Sequence, residues 1–397
     1  MMGSRNRLPL YYVVTMLYWF TMYTYVPLLS PYVRHLGSSL AMAGVVIGSY
    51  GFTQMLVRIP LGIWSDRVRK RKPFVIAGVA VATASSLGLA LTHTPGGALL
   101  FRGLAGVAAG SWVVFTVLYA SYHDNRSAPR AMGVISFYTS IGQMVASVLG
   151  GLVANQFGWH AAFWAGAAGG IIGFFLAFWI REKEPEPDAT GIQFSDLARV
   201  GRDRIVLGVS TLAILAQFVT FSTLFGFTPQ AATHLGATKA DLSVLSLVST
   251  LPNAIASIYG VRVMSSRFGN RITVAIGFLT SMTFTAAIPF IHNLGWLYVT
   301  QMFNGFGQGI AMPILMGLSI AHVAPKQRAT AMGFFQAIYS LGMFGGPAIC
   351  GIIGDAVGLG GGFLVVSCIS LAAAILAAWL VPGGHRGPRT KMDAASV

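Results

Sequence analysis

The sequence predicts an all-α membrane protein in which twelve transmembrane helices form two pseudo-symmetric six-helix bundles. The chain of 397 residues is 55% hydrophobic and only 9% charged, with a mean hydropathy of +0.68. A soluble domain carries about 25% charged residues. Apolar stretches long enough to cross about 30 Å of hydrocarbon recur along the chain. The chain also repeats itself at an offset of about 200 residues, a spacing typical of paired helical bundles: residues 131–133 (AMG) recur at 331–333, and 35–37 (HLG) at 234–236.

Twelve apolar segments are predicted to cross the membrane, six in each half of the chain. They cover residues 9–33, 41–64, 73–92, 97–121, 131–154, 161–180, 205–232, 240–264, 272–291, 295–321, 331–354 and 361–381. The first segment has no cleavage site after it, so it is predicted to be a retained helix and not a signal peptide.

The organisation between these segments follows from changes in composition. Residues 1–181 are expected to form the N-terminal bundle and residues 205–381 the C-terminal bundle. The charged, proline-interrupted stretch at 182–188 indicates a linker over 182–204, and the residues after it fit a short amphipathic helix on the membrane surface. Residues 382–397 form a short basic tail.

The distribution of lysine and arginine predicts the orientation. Most of the 26 basic residues fall on the side that holds the chain ends and the run from Arg67 to Lys72. The other side holds little beyond Arg34 and Lys239. The positive-inside rule therefore places both termini in the cytoplasm. The net charge of +15 reflects this topology, so binding to nucleic acid is not expected.

The sequence offers no pattern for catalysis or for a cofactor. Cys350 and Cys368 lie in the eleventh and twelfth segments, without the spacing of a disulfide framework or a metal site. Paired carboxylates, a nucleophile beside a base and a nucleotide-binding loop are also missing. We therefore predict no enzymatic activity, no cofactor and no metal.

The connection between the second and third segments reads GIWSDRVRKR over residues 62–71. It resembles the loop signature of the major facilitator superfamily, G-x-x-x-D-R-x-G-[RK]-[RK], with Arg69 where the family usually has glycine. A degenerate copy stands at 266–271. With the twelve segments and the repeat, the resemblance covers essentially the whole chain.

The resemblance implies a conformational latch in this loop, formed by Gly62, Asp66, Arg67, Lys70 and Arg71. In the family, the carboxylate lies near the N-terminus of the eleventh helix, where the helix dipole stabilises it by about 0.3–1 kcal/mol. The latch is then expected to hold the cytoplasmic side shut in the outward-open state.

Arg102 in the fourth segment is the second strong signal, because an arginine at a helix centre costs about 2.5–3.5 kcal/mol. Arg102 and Gly106 resemble the R-x-x-x-G pattern of the family's antiporters, in which the arginine is linked to proton coupling. The alternative is that Arg102 snorkels to the outer interface. The antiporter motif G-x-x-x-G-P is broken in the fifth segment at Ala146 and Ser147, which weakens the antiporter assignment.

The resemblance also implies a central cavity surrounded by segments one, four, seven and ten. Aromatic, sulfur-bearing and amide side chains there and in neighbouring segments are the cavity candidates, with ordinary helix packing as the alternative for each. Arg58 joins them, although its position predicts snorkelling to the cytoplasmic face. The candidates are Tyr18, Met22, Tyr25, Arg58, Trp112, Gln143, Gln217, Phe221, Asn304, Gln308, Gln336 and Tyr339.

These features predict a multi-pass transporter of the bacterial inner membrane that moves a small molecule by alternating access. Efflux of drug-like or amphipathic metabolites is the leading expectation, and the family's default state is a monomer. Proton coupling rests on the resemblance, because no Asp or Glu falls in the middle of a segment. The alternative is an organic-anion carrier or exchanger that uses Arg58 and Arg102.

Overall fold

A computed structural model describes residues 8–123, 128–182, 201–321, 323 and 328–382 of the chain. We number its helices α1 to α12 by the segment that each one occupies. In the first half, α1 comprises Leu8–Tyr23 and Val26–His35, α2 is Leu40–Val68, α3 is Lys72–Leu91, α4 comprises Pro95–Gly110 and Trp112–Ala120, α5 is Ala128–Phe157 and α6 is Trp159–Ala177.

The second half has the same order of helices. Here α7 comprises Arg204–Ser222, the π-helical turn Thr223–Phe227 and Thr228–His234, and α10, α11 and α12 are Leu294–Ala321, Arg328–Val357 and Leu359–Leu380. Between them, α8 begins with Lys239–Ile255 and the π-helical turn Ala256–Gly260. It continues into Val261–Ala287, within which Gly269 (φ 80°, ψ 162°) interrupts the helix and α9 begins.

The fold class predicted from the sequence is confirmed. In the described ranges, nine helical stretches are long and apolar enough to cross a membrane, and one of them, the 52-residue stretch Lys239–Phe290, contains both α8 and α9. The divided helix α1 and helix α10 complete the set. The proposed bundle boundaries stay predictions, and residues 183–200 of the predicted linker and 383–397 of the tail lie outside the described residues.

A positive φ occurs at corresponding positions of the two halves. Arg69, at the end of α2, has a φ of 55° and is the one non-glycine residue with positive φ in the described part of the chain. Its counterpart 200 positions later is Gly269, with a φ of 80°. The connections after α2 and after α8 therefore both contain a residue with positive φ, but only Arg69 (φ 55°, ψ 16°) is in the left-handed α conformation. Glycine adopts positive φ at little steric cost.

The bundle has two distinct ends. Leu8 at the start of α1, Leu380 at the end of α12 and the α2–α3 connection at residues 69–71 lie at one end, which we call the basic face. The other end, called the opposite face, holds the starts of α2 and α8 at Leu40 and Lys239. The sequence predicts that the basic face is cytoplasmic.

The two halves pack closely in the part of the bundle next to the opposite face. On α2, a Cβ added at Gly48 would lie 2.6 Å from the carbonyl oxygen of Phe344 on α11, so only glycine allows this approach. On the other side of the molecule, the Ser243 hydroxyl of α8 donates a hydrogen bond to the Ser147 carbonyl of α5 at 2.5 Å. Small residues thus allow the helix backbones to approach closely. This close packing matters because the hydrophobic effect does not drive helices together within lipid.

A polar cap also joins the halves at the opposite face. The backbone N–H groups of Leu40 and Ala41, at the start of α2, each donate to the carboxylate of Asp355 on α11 at 2.8 Å. The hydroxyl of Ser39 accepts from the next N–H, that of Met42, at 3.1 Å. A carboxylate at a helix N-terminus both satisfies orphan donors and complements the helix dipole. Asp355 therefore stabilises the contact between α2 and α11.

Candidate functional site

A central cavity of about 510 Å³ lies between the two halves. Its walls combine aromatic rings, amides and methionines, which come from both bundles. The aromatic residues are Trp19, Tyr23, Tyr50, Trp112, Phe221, Phe225 and Tyr339, the amides are Gln54, Gln143, Gln217, Asn253, Gln308 and Gln336, and the methionines are Met144, Met312, Met316 and Met343. Such a wall favours amphipathic molecules with broad apolar surfaces.

Aromatic pairs from the two halves meet within this cavity. Tyr23 of α1 contacts Phe225 of α7 edge to face, with ring centroids 6.2 Å apart. Tyr50 of α2 stacks on Phe221 of α7, also at 6.2 Å. These ring pairs add to the contacts that join the two halves near the opposite face.

Arg58 of α2 lines the cavity and is 4% exposed. Its Nη1 donates to the side-chain oxygen of Gln336 on α11, and its Nη2 donates to the carbonyl oxygen of Ala109 on α4 at 3.5 Å. Its Nε is buried without a hydrogen-bond partner among the described residues. The expected snorkelling of Arg58 to the basic face is thus wrong, because its guanidinium is held at the cavity by α4 and α11.

Three further buried polar atoms on the lining have no partner in the described parts of the chain. They are Nε1 of Trp19, Oε1 of Gln54 and Oγ1 of Thr139. Buried polar groups in proteins are almost always hydrogen-bonded. Like Nε of Arg58, these atoms are therefore exceptions, and they belong to side chains that line the cavity.

Arg102 of α4 lies behind the cavity wall. It is 3% exposed, its Nη1 donates to the hydroxyl of Tyr25 at 3.4 Å, and its guanidinium carbon lies 4.4 Å from the ring centroid of Tyr50. Snorkelling of Arg102 is therefore also wrong. Gly106, one turn further along, lets α4 approach the backbone of α2 at Tyr50. A role of Arg102 and Gly106 in coupling stays a prediction.

Eight of the predicted cavity residues line the cavity, and four do not. The eight are Arg58, Trp112, Gln143, Gln217, Phe221, Gln308, Gln336 and Tyr339. Tyr18, Met22, Tyr25 and Asn304 are buried between helices: the Tyr18 hydroxyl donates to the Ala108 carbonyl of α4, and the Asn304 amide donates to Thr285 at 3.3 Å.

On α1, the cavity is faced by Trp19 and Tyr23, one position along from the predicted Tyr18 and Met22. Helical spacing alone fits either face of α1, the one with Tyr18 and Met22 or the one with Trp19 and Tyr23. Hydrogen bonding decides which face of α1 lines the cavity. The hydroxyl of Tyr18 bonds to α4, so Tyr18 faces that helix, and the rings of Trp19 and Tyr23 face the cavity. The sequence signal that could have found them is the pair of large aromatic rings spaced four residues apart.

The predicted latch residues lie together at the basic face. The carboxylate of Asp66 pairs with Arg71 at 3.3 Å, Gly62 is buried, and Arg67 and Lys70 are exposed. Glu182 accepts a hydrogen bond from the backbone N–H of Lys72 at 3.2 Å, and so ties the end of the first half to the start of α3. The action of this loop as a latch stays a prediction.

Two repeated helical bundles around a polar, aromatic cavity define a membrane transporter. The sequence profile of the Major Facilitator Superfamily matches residues 11–230 and 210–395. The chain belongs to this family, and it is accordingly a transporter and not an enzyme.

The chain is similar to several known proteins. It is 35% identical over 160 residues to the inner membrane transport protein YajR of Escherichia coli K12, a match that covers 40% of this chain and 35% of that protein. It is 25% identical to the purine ribonucleoside efflux pump NepI of Escherichia coli O127:H6, over 88% of each chain. The crystal structure of a bacterial homologue of the human lysosomal transporter Spinster, inward-facing and occupied, superposes with a TM-score of 0.80 at 17% identity, covering 95% of this chain and 96% of that one.

Proposed function

We propose that the protein exports small amphipathic molecules across the bacterial inner membrane by alternating access. The observation that carries this proposal is the central cavity, whose aromatic, methionine and amide lining comes from both halves. A site shared between two bundles changes its exposure when the bundles rock. The likeness to an efflux pump over 88% of the chain supports the outward direction.

The proposed orientation puts both termini and the basic face in the cytoplasm. The described contacts between the halves lie from the level of Arg58 and Gln336 to the opposite face. In this orientation, the structure corresponds to a state closed toward the outside. The latch around Asp66 is proposed to act in the alternate state, when the basic face closes.

Transport in proteoliposomes tests the proposal. Purified protein is reconstituted and assayed for counterflow with a panel of cationic drugs, nucleosides, sugars and aromatic acids. Saturable counterflow of at least one amphipathic member is expected, with no counterflow in liposomes that lack the protein. Failure of every member of the panel would contradict the proposal.

Proton coupling is a separate part of the same proposal. The described cavity lining contains no Asp, Glu or His, so the cavity itself offers no side chain that titrates between pH 5 and 8. We therefore expect net transport to respond to a pH gradient only through groups outside this lining or through the charge of the substrate. Comparing transport with and without an imposed pH gradient measures this response.

The second candidate function is transport or exchange of organic anions. The observation that favours it is the position of Arg58 on the cavity wall, with Arg102 behind Tyr50. Of the two arginines predicted to bind an anion, only Arg58 can contact a molecule in the cavity, and Arg102 contributes through its charge.

A further inference from the structure

The groups around Arg58 indicate the chemistry of the substrate more closely than the shape of the cavity does. This inference rests on the proposed function, because it concerns the same cavity. Arg58 is the one charged residue among the described residues on the lining. The ion pair between Arg71 and Asp66 lies at the basic face, away from the cavity. No described carboxylate therefore balances the charge of Arg58 within the cavity.

An unbalanced guanidinium at this depth is costly. Arginine cannot be deprotonated in proteins, so Arg58 cannot become neutral as a buried lysine or carboxylate can. The oxygens of Gln336 and Ala109 offer partial charges to its two Nη atoms, and its Nε has no described partner. A carboxylate would supply both the missing charge and an acceptor in the fork geometry that arginine prefers.

A second cation adds to the positive potential on this side of the cavity. The guanidinium of Arg102 lies 4.4 Å from the ring of Tyr50, and Tyr50 itself lines the cavity. Two fixed positive charges with low-dielectric walls around them attract an anion. A drug-like cation would instead meet repulsion from both.

The remaining walls fit an aromatic body. Trp19 and Trp112 pack edge to face with their ring centroids 5.1 Å apart, and both line the cavity. The indole Nε1 of Trp19 is a buried donor without a described partner. Ring faces and edges of this kind favour another aromatic ring as a neighbour.

We propose that the substrate is an aromatic carboxylate whose anionic group binds Arg58 in place of Gln336, with its ring against Trp19 and Trp112. Arg58 belongs to the first half and Gln336 to the second. Binding of the carboxylate therefore exchanges a contact between the halves for a contact with the substrate. The site thus discriminates by charge as well as by shape.

Calorimetric titration of the purified full-length protein in detergent tests this assignment with a matched pair of probes. The probes are 1-naphthoate and its neutral analogue 1-naphthamide, measured with the unsubstituted protein and with R58Q, R58K and R262Q. Arg262 is exposed on α8 and serves as the control for loss of one positive charge. Thermal melting of each variant shows whether it is folded.

The unsubstituted protein and R262Q are expected to bind naphthoate at least about tenfold more tightly than naphthamide, the effect of one charge-assisted hydrogen bond. In R58Q this preference disappears while the affinity for naphthamide stays within about twofold. R58K is expected to fall between, because it keeps the charge and loses the planar fork.

Two results would overturn the assignment. The first is equal binding of the two probes, or no binding of naphthoate, by the unsubstituted protein. The second is an equal loss of affinity for both probes in R58Q, which would make Arg58 a packing residue. Either result alongside saturable counterflow of neutral amphipathic molecules would leave the proposed function standing, whereas absence of all counterflow would contradict the proposed function itself.

Discussion

At the scale of single residues, hydrogen bonding decides which side chains reach the cavity. Four of the five amides predicted to line the cavity do so, and the basis of that prediction was that polar groups inside a membrane need a partner or a ligand. The partners themselves were not predictable. Tyr18 and Asn304 find theirs on neighbouring helices, whereas Gln143 and Gln217 line the cavity. Polarity and helical spacing do not distinguish the two cases in the sequence, so only the packed structure separates them.

Arg69 provides a prediction about local strain. It departs from the glycine of the family signature, yet the backbone keeps a positive φ of 55° there. A left-handed conformation costs an L-residue with a side chain about 1–2 kcal/mol relative to its right-handed form. R69G is therefore expected to stabilise the protein by about 1 kcal/mol, measured as a higher melting temperature in detergent.

The control for this prediction is R67G, two positions earlier and inside the last turn of α2. Glycine in a helix costs about 1 kcal/mol, so R67G is expected to lower the melting temperature. A decrease for R69G as well would show that the side chain of Arg69 contributes more than its backbone strain costs.

At the scale of helices, the sequence predicted the number and order of the elements but not their breaks. Hydropathy averages over a whole span, and therefore does not register the break in α1 before Val26 or the π-helical turns at Thr223–Phe227 and Ala256–Gly260. Such breaks depend on how neighbouring helices satisfy a few backbone groups. They matter here because Phe225, on one of these turns, faces the cavity.

The contact between α2 and α11 yields a prediction about close packing. In G48A, the added methyl group would lie 2.6 Å from the backbone oxygen of Phe344, so the two helices must separate. Overpacking of this kind costs about 1–3 kcal/mol. We expect a lower melting temperature and slower counterflow.

The matched control is G345A on α11, where an added Cβ meets nothing within 4 Å. Alanine is the better helix former by about 1 kcal/mol, so G345A is expected to melt at the same or a higher temperature. Equal destabilisation by the two substitutions would mean that the α2–α11 contact is not the cause.

At the scale of the whole molecule, the fold was predictable because the two halves of the sequence repeat the same pattern of six apolar segments. Each segment also has the length needed to cross a bilayer. The conformational state was not predictable, since one sequence must support every state of the transport cycle. The state described here depends on contacts that cross the halves near the opposite face, above all the carboxylate of Asp355 at the start of α2.

Asp355 therefore offers a way to shift the molecule between states. D355N keeps one acceptor but loses the charge that complements the helix dipole, and so weakens a contact between the halves. Asp241 is the matched control, because it caps α8 together with Thr238 at the same face but within one half. D241N is expected to reduce stability without changing how the halves are arranged.

The central claim is that the two halves rock about the cavity, and pulsed electron–electron distance measurement tests it most directly. Spin labels replace His93 and His292 at the opposite face, and Val68 and Phe268 at the basic face, in a background with serine at Cys350 and Cys368. D355N is predicted to lengthen the distance at the opposite face and shorten that at the basic face, while D241N leaves both unchanged. Distances that stay fixed in D355N, or that lengthen together at both faces, would contradict the claim.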